Sequence, residues 1–229
     1  MRGFTYKEVY VEDNRNVLEM NILPEKHCNF DCIFCPIGRS KSKDEDQMSF
    51  EYGVDAMNAL GLKIDQIKPD LIFINSMGEA FVNENVEDVI DFIKSKGVAI
   101  KLLTNGYLLG REAYIRIANK CDEVLGEIKV ITEEGFQKVQ RPIEGYTLKQ
   151  YIENMASFKK QYPGKFILEV TLIKGMNDDE LSVERLKEII REIAPDQVVM
   201  ARIDDAIFVK KLGVSDETFN EISEKLLEI

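Results

Sequence analysis

Positive charge, histidine, cysteine and long apolar stretches are all scarce in this chain. Its 30 Lys and Arg residues face 41 Asp and Glu, a formal net charge of −11. A surface with that balance does not hold a phosphate backbone by bulk electrostatics, which leaves only a local basic patch for nucleic acid. No apolar run approaches the ~20 residues a membrane helix needs. The opening Met1-Arg2-Gly3-Phe4-Thr5-Tyr6 lacks the apolar core of a signal peptide. A cytoplasmic protein with no membrane partner is therefore expected. Histidine occurs once and cysteine four times. Three of the cysteines fall within eight residues, which in a reducing compartment reads as metal binding. Repeats, low-complexity tracts and composition breaks are also lacking, so 1–229 reads as one domain. Its core spans about 15–202 and a C-terminal helix about 215–229.

What is present is ordinary globular composition, 45% hydrophobic and 31% charged, arranged in regular alternation. Strand-like runs at 17–23, 71–75, 99–104, 124–130, 165–173 and 197–202 alternate with amphipathic patterns. Those patterns lie at about 50–65, 86–95, 110–120, 148–162, 182–193 and 216–227. Six β/α units imply a parallel sheet covered by helices. Gly97, Gly164 and Pro195 stand where the second, fourth and fifth helices should stop. Residues 38–49 form a charged loop. Polar side chains recur on one parity of the strands: Glu19 and Asn21, Glu127 and Lys129, Glu169 and Thr171, with Arg202 on the last. A packed parallel barrel fills its interior with Val, Ile and Leu. A polar parity instead predicts a ligand-filled cavity near the strands' C-terminal ends, or, failing that, a solvated or salt-bridged face.

The cysteines read Cys28-Asn29-Phe30-Asp31-Cys32-Ile33-Phe34-Cys35-Pro36, just after the first strand. A structural zinc wants four protein ligands. Cys121 lies far off at the end of the third helix, and His27 adjoins Cys28 too closely to complete the same tetrahedron. Three thiolates on one tight loop suit a [4Fe–4S] cluster with one open iron. Zinc with an external ligand and a simple electron-transfer cluster are the alternatives, and with them a non-enzymatic electron carrier or metal-stabilised binding protein. Cys121 itself reads as a buried hydrophobe.

The C-x3-C-x2-C loop, with Phe34 before its third cysteine, resembles the signature of the radical SAM superfamily. The resemblance implies an α/β fold, a partial (β/α)6 TIM-like barrel of the radical SAM type. It implies an oxidoreductase in which Cys28, Cys32 and Cys35 hold the cluster and S-adenosyl-L-methionine (SAM) chelates the open iron. One electron, from an external donor such as flavodoxin or ferredoxin, then splits the S–C5′ bond. The resulting 5′-deoxyadenosyl radical abstracts hydrogen from a substrate. Ser76-Met77-Gly78-Glu79 resembles the Gly-Gly-Glu-like motif that receives the SAM amino group, departing from it at Met77. Thr104-Asn105-Gly106 resembles a turn common in the superfamily and predicts Thr104 and Asn105 in the cavity. Glu127-Ile128-Lys129 resembles the Asp-x-Lys arrangement of the pyruvate formate-lyase activating enzyme, where the acid meets the ribose and the lysine the carboxylate. Here Glu127 replaces the Asp with a longer arm. Glu169 is a further candidate SAM contact.

The cysteine loop through Pro36-Ile37-Gly38-Arg39, Gly78-Glu79, Arg141-Pro142 and the Lys174-to-Asp178 turn are most similar to the wybutosine-pathway tRNA enzyme group. Asn177 in that turn reads as a helix cap, and His27 as a group behind the cluster ligands. One remaining cysteine cannot hold an auxiliary cluster. A wide lateral mouth suits a macromolecular substrate. RNA modification draws on the family likeness and on Arg39, Lys41 and Lys43 beside the cluster loop. Glycyl-radical enzyme activation draws on the short chain and on Glu127 and Lys129.

Overall fold

The computed structural model describes residues 3–40, 43–50 and 55–228. It begins with two strands that the alternation does not announce. β1 (Thr5–Tyr6) and β2 (Tyr10–Glu12) both pair antiparallel with β3 (Arg15–Asn21). The β2–β3 turn is Asp13-Asn14, with φ of 50° and 62°. That is the two-residue hairpin geometry that Asp and Asn tolerate best after glycine. The register shifts by one residue between Tyr6↔Met20 and Tyr10↔Val17, so a bulge separates β1 from β2.

From β3 onward the expected pattern holds. The strands are β4 (Leu71–Ile74), β5 (Ala99–Leu103), β6 (Glu123–Ile128), β7 (Lys165–Leu172) and β8 (Gln197–Arg202). Each pairs in parallel with its predecessor from β3 on, and among the described residues β8 pairs with β7 alone. Strand order equal to chain order, with one open side, is the partial barrel. Helices α1 (Asp55–Ile67), α2 (Val86–Ser95), α3 (Glu112–Ala118), α5 (Leu148–Gln161), α6 (Glu180–Ile193) and α8 (Asp216–Leu227) complete the β/α units. Two short helices, α4 (Glu133–Gly135) after β6 and α7 (Val209–Leu212) after β8, lie in the connections. The first helix was expected from residue 50, and 51–54 lie outside the described residues. Among the described residues no helix is long and apolar enough to cross a membrane.

The strands form because they are buried on both faces, as parallel strands are: Val17, Leu18, Ile72, Ile74, Ile100, Leu102, Leu168 and Val170 are all fully buried. The helices supply the matching stripe. In α2 it is Val86, Val89, Ile90 and Ile93, the i, i+3, i+4, i+7 spacing of one helical face. Thr147, Asp179 and Ser215 cap α5, α6 and α8 by accepting backbone N–H bonds.

Three expectations are corrected. Gly97 does stop α2 with φ +74°, but Gly164 is not a left-handed stop. α5 ends at an extended Tyr162, and a side chain at 164 would meet Tyr162 Oη at 2.5 Å and Asp122 O at 2.7 Å. Arg202 pairs with Leu172 across the sheet, one residue out of step with Glu169 and Thr171. Its guanidinium therefore goes to Asp216 and to the Phe219 ring, 5.1 Å away, although residue 202 still borders the cavity. Asn177 does not cap α6, which Asp179 does. It is fully buried and bonds Lys129 O, Thr171 O and Ile173 N, clamping the ends of β6 and β7 together.

Candidate active site

The strand ends and the cysteine loop enclose a cavity of about 660 Å³. Its walls include Cys28, Cys32, Cys35, Phe34, Ser76, Gly78, Asn105, Glu127, Lys129 and Glu169. Ten of the twelve site residues expected from the sequence thus meet in one space, of a size that suits a small-molecule ligand. The other two, Glu79 and Thr104, stand just behind it. Glu79 is 1% exposed. Its carboxylate accepts from Thr104 Oγ1 at 3.0 Å, Asn105 N at 2.9 Å and Phe81 N at 3.2 Å. It ties the end of β4 to the end of β5 rather than facing the cavity. Burial pushes its carboxyl up to about 7 against the pull of those donors.

The cysteine loop is held from two sides. Asp31 N and Ile33 N donate to Gln140 O and Val139 O at 3.1 and 2.9 Å, and Ile143 N donates to Asn29 O at 3.1 Å. Arg141-Pro142 therefore belongs to the brace under the loop, with Arg141 at φ 47°. On the other side Glu79 N donates to His27 O at 2.9 Å. That approach is closed to any side chain at 78: a Cβ there would lie 1.8 Å from His27 O. Behind the loop, Phe30 meets Tyr107, Phe136, Tyr146 and Tyr151 edge-on, and Tyr107 stacks on Tyr146 at 3.5 Å. Tyr151 Oη sits between the Asn105 and Glu127 carbonyls, which share its one proton, joining β5 and β6 beneath the cavity.

The cysteines are free and half-buried. Cys28 Sγ accepts from Phe30 N at 3.4 Å, and Asn105 Nδ2 lies 3.9 Å from it. Burial pushes the Cys28 thiol well up and the Cys32 thiol up to about 12, with Lys129 pulling Cys32 back. Such thiols ionise when metal coordination displaces their protons, which leave to solvent. Among the described residues no three His, Cys, Asp or Glu side chains gather closely enough to hold one metal ion. Three thiols on one loop lining the cavity fit a cluster, whose ligands go to different irons. Across from them Lys129 Nζ lies 2.7 Å from Glu127 and 5.4 Å from the centre of the Phe34 ring. Burial opposes its charge, but Glu127 and then Cys32 hold its pKa above the ordinary lysine value. Glu169 is pushed up to about 7, by burial first and Glu127 second.

Several expected roles shift. His27 does not line the cavity; its Nε2 is 3.5 Å from Glu25 and its ring packs on Phe50. Arg39 pairs with Asp31 at 2.5 Å, and Lys43 Nζ donates to Pro142 O at 2.6 Å. Lys41 lies outside the described residues. Cys121 is a buried core residue, as expected. Sequence reasoning missed Asn29, whose Oδ1 accepts from Asn105 Nδ2 at 2.6 Å, and Tyr151. It also missed a charged floor of the barrel, where Lys101 pairs with Glu12 at 2.7 Å and Arg15 with Glu123 at 2.6 Å. Lys101 and Glu123 lie on the same inward parity as Glu127, so the polar parity itself was the signal.

Comparison with known proteins agrees with this geometry. The UPF0026 protein of Methanocaldococcus jannaschii is 24% identical over 79% of this chain and 57% of its own length. That of Helicobacter pylori strain J99 is 28% identical over 84% of this chain and 63% of its own. The chain thus spans about three fifths of the length of these two relatives. A solved structure of TYW1 with a lysine–pyruvate adduct bound superimposes with a TM-score of 0.67 over 93% of this chain and 73% of that one. At 13% identity that likeness is one of fold. The family model described as the radical SAM superfamily matches residues 22–186, well over half of the chain. The chain therefore belongs to the radical SAM superfamily.

Proposed function

We propose that Cys28, Cys32 and Cys35 hold a [4Fe–4S] cluster, that the cavity binds SAM, and that residues 1–229 form one catalytic domain. The observation that carries this is the convergence of three free thiols and six strand ends on one cavity of about 660 Å³. When bound, the cluster supplies the electron that splits the S–C5′ bond of SAM. The chain's own residues bind and orient. Backbone carbonyls at Ser76 to Gly78 receive the methionine ammonium, and Glu79 fixes that strand end without touching it. Lys129 pairs with the carboxylate, Glu127 accepts from the ribose, and Phe34 and Asn105 pack the remaining wall. Glu169 stands as the acid beyond Glu127, protonated below about pH 7. An external one-electron donor such as flavodoxin or ferredoxin supplies the electron.

For the substrate we favour a polypeptide segment over RNA. Arg39 and Lys43, which would have made the basic patch, are engaged within the loop, and the chain is strongly acidic. The test is anaerobic reconstitution followed by reductant and SAM. Methionine and 5′-deoxyadenosine should form together, and Cys32→Ala should form neither. Unchanged turnover in that variant would refute the assignment of the cluster ligands.

A further inference from the structure

The SAM contacts proposed above leave other carboxylates of the cavity unused. Glu19 on β3, and Asp204 and Asp205 just past β8, line the same space. Glu19 is 7% exposed. Its Oε1 takes two donors, Asn75 Nδ2 at 2.7 Å and Lys7 Nζ at 2.6 Å. Lys7 comes from the bulge between β1 and β2, and its side chain is 69% exposed. The ammonium thus reaches in from solvent to a carboxylate on the inner wall. A carboxylate this buried requires a cation or a ligand. The cation here is one that leaves at little cost, because an exposed lysine regains water and rotamer freedom when released. A second group on the wall waits for a partner: Ser76 Oγ is buried with no hydrogen bond. Thr5 to Lys7 and Ala201 to Asp205 both line the cavity, so they form the two lips of the barrel's open side.

We propose that Glu19 determines substrate specificity by receiving a primary alkylammonium, of the kind a lysine side chain carries. That group enters between the β1 and β8 lips, passes the Asp204–Asp205 rim and displaces the Lys7 ammonium. Lys7 is a placeholder that keeps Glu19 paired until the substrate arrives. This rests on the radical SAM reading above and names the substrate class for the same cavity. Lys7 N also donates to Glu19 O at 3.0 Å, so a plain cross-strand ion pair is the competing account. That account predicts a small change in stability on removing Lys7 and no change in ligand binding.

The test titrates Nα-acetyl-lysine methylamide into the anaerobically reconstituted full chain with SAM, by calorimetry. The neutral isostere Nα-acetyl-norleucine methylamide is titrated in parallel. The lysine derivative should bind and the norleucine derivative should not. Lys7→Met should tighten lysine binding roughly tenfold, the gain from freeing an occupied site. Glu19→Gln should weaken it at least tenfold in either background. Equal binding of the two probes by the unsubstituted chain would overturn the proposal without any variant having to fold. So would a Lys7→Met variant, folded by circular dichroism, with unchanged affinity. Formation of 5′-deoxyadenosine is read separately. A chain that cleaves SAM but cannot tell the probes apart sinks this inference alone, and one that tells them apart without cleaving SAM sinks the cluster reading alone.

Discussion

Replacing Gly78 by alanine tests how tightly the cysteine loop is fitted to the end of β4. Gly78 has φ +139°, and an added Cβ would lie 1.8 Å from His27 O and 2.7 Å from His27 C. Both are backbone atoms and cannot rotate away. Relief requires moving the His27 carbonyl, which breaks the 2.9 Å bond from Glu79 N. The unfavourable backbone conformation costs ~1–3 kcal/mol, the lost hydrogen bond ~1 kcal/mol and the overpacking ~1–3 kcal/mol. A total of ~3–7 kcal/mol is a large share of the ~5–15 kcal/mol that holds a typical fold. It should lower the melting temperature by ~10 °C in a chain of this size. Because His27 precedes Cys28, the shift also moves a cluster ligand, and iron bound per chain after reconstitution should fall. Gly145→Ala is the control. Gly145 has φ +87° with nothing within 4 Å of an added Cβ, so it carries only the backbone cost of ~1 kcal/mol. A Gly78→Ala variant that melts with Gly145→Ala and binds iron like the parent would refute the steric reasoning.

Three further outcomes follow from the same geometry. Burial raises the Glu79 and Glu169 carboxyls from an ordinary 4.5 to about 7. Their contribution to stability is thus fully present below about pH 4.5 and is lost as pH rises through 7. Glu169→Gln should flatten the fall in urea midpoint across that window, and a parallel fall in parent and variant would contradict the burial argument. Asn177→Ala removes the clamp between β6 and β7 and leaves the Lys129 and Thr171 carbonyls and Ile173 N without it. It should cost ~2–4 kcal/mol in denaturant unfolding, and a loss under ~1 kcal/mol would count against the clamp. Cys121→Ala, in the core and away from the loop, should leave iron content unchanged; a loss of iron would reopen the ligand assignment.

Much of this was legible in the sequence because it depends on local spacing. The six strands follow from short apolar runs alternating with helical stripes, and the thiols converge because one tight loop carries all three. What was not legible depends on register and on which neighbour a side chain finds. Asp13-Asn14 is a hairpin signal, but its flanks are too short and polar to read as strands by alternation. Arg202 borders the cavity, and only its pairing with Leu172 shows that its guanidinium turns to Asp216. Glu79 sits in a motif suggestive of ligand binding, yet the donors that occupy it come from residues 81, 104 and 105. Two of those lie on another strand's end, where no local spacing could have placed them. Asn177 is well placed for a cap, but Asp179 takes that role, which frees the amide to bridge strands. Lys43 and Arg39 look free in sequence because their partners, Pro142 O and Asp31, become neighbours only when the loop folds.

The central claim is that three cysteines hold a cluster with one iron left open for SAM. Electron paramagnetic resonance of the reduced, reconstituted chain tests it directly, with and without SAM. The account predicts a reduced four-iron signal whose line shape changes on adding SAM and which is absent from Cys28→Ala, Cys32→Ala and Cys35→Ala alike. A signal indifferent to SAM, or one that survives loss of any of the three cysteines, would contradict it.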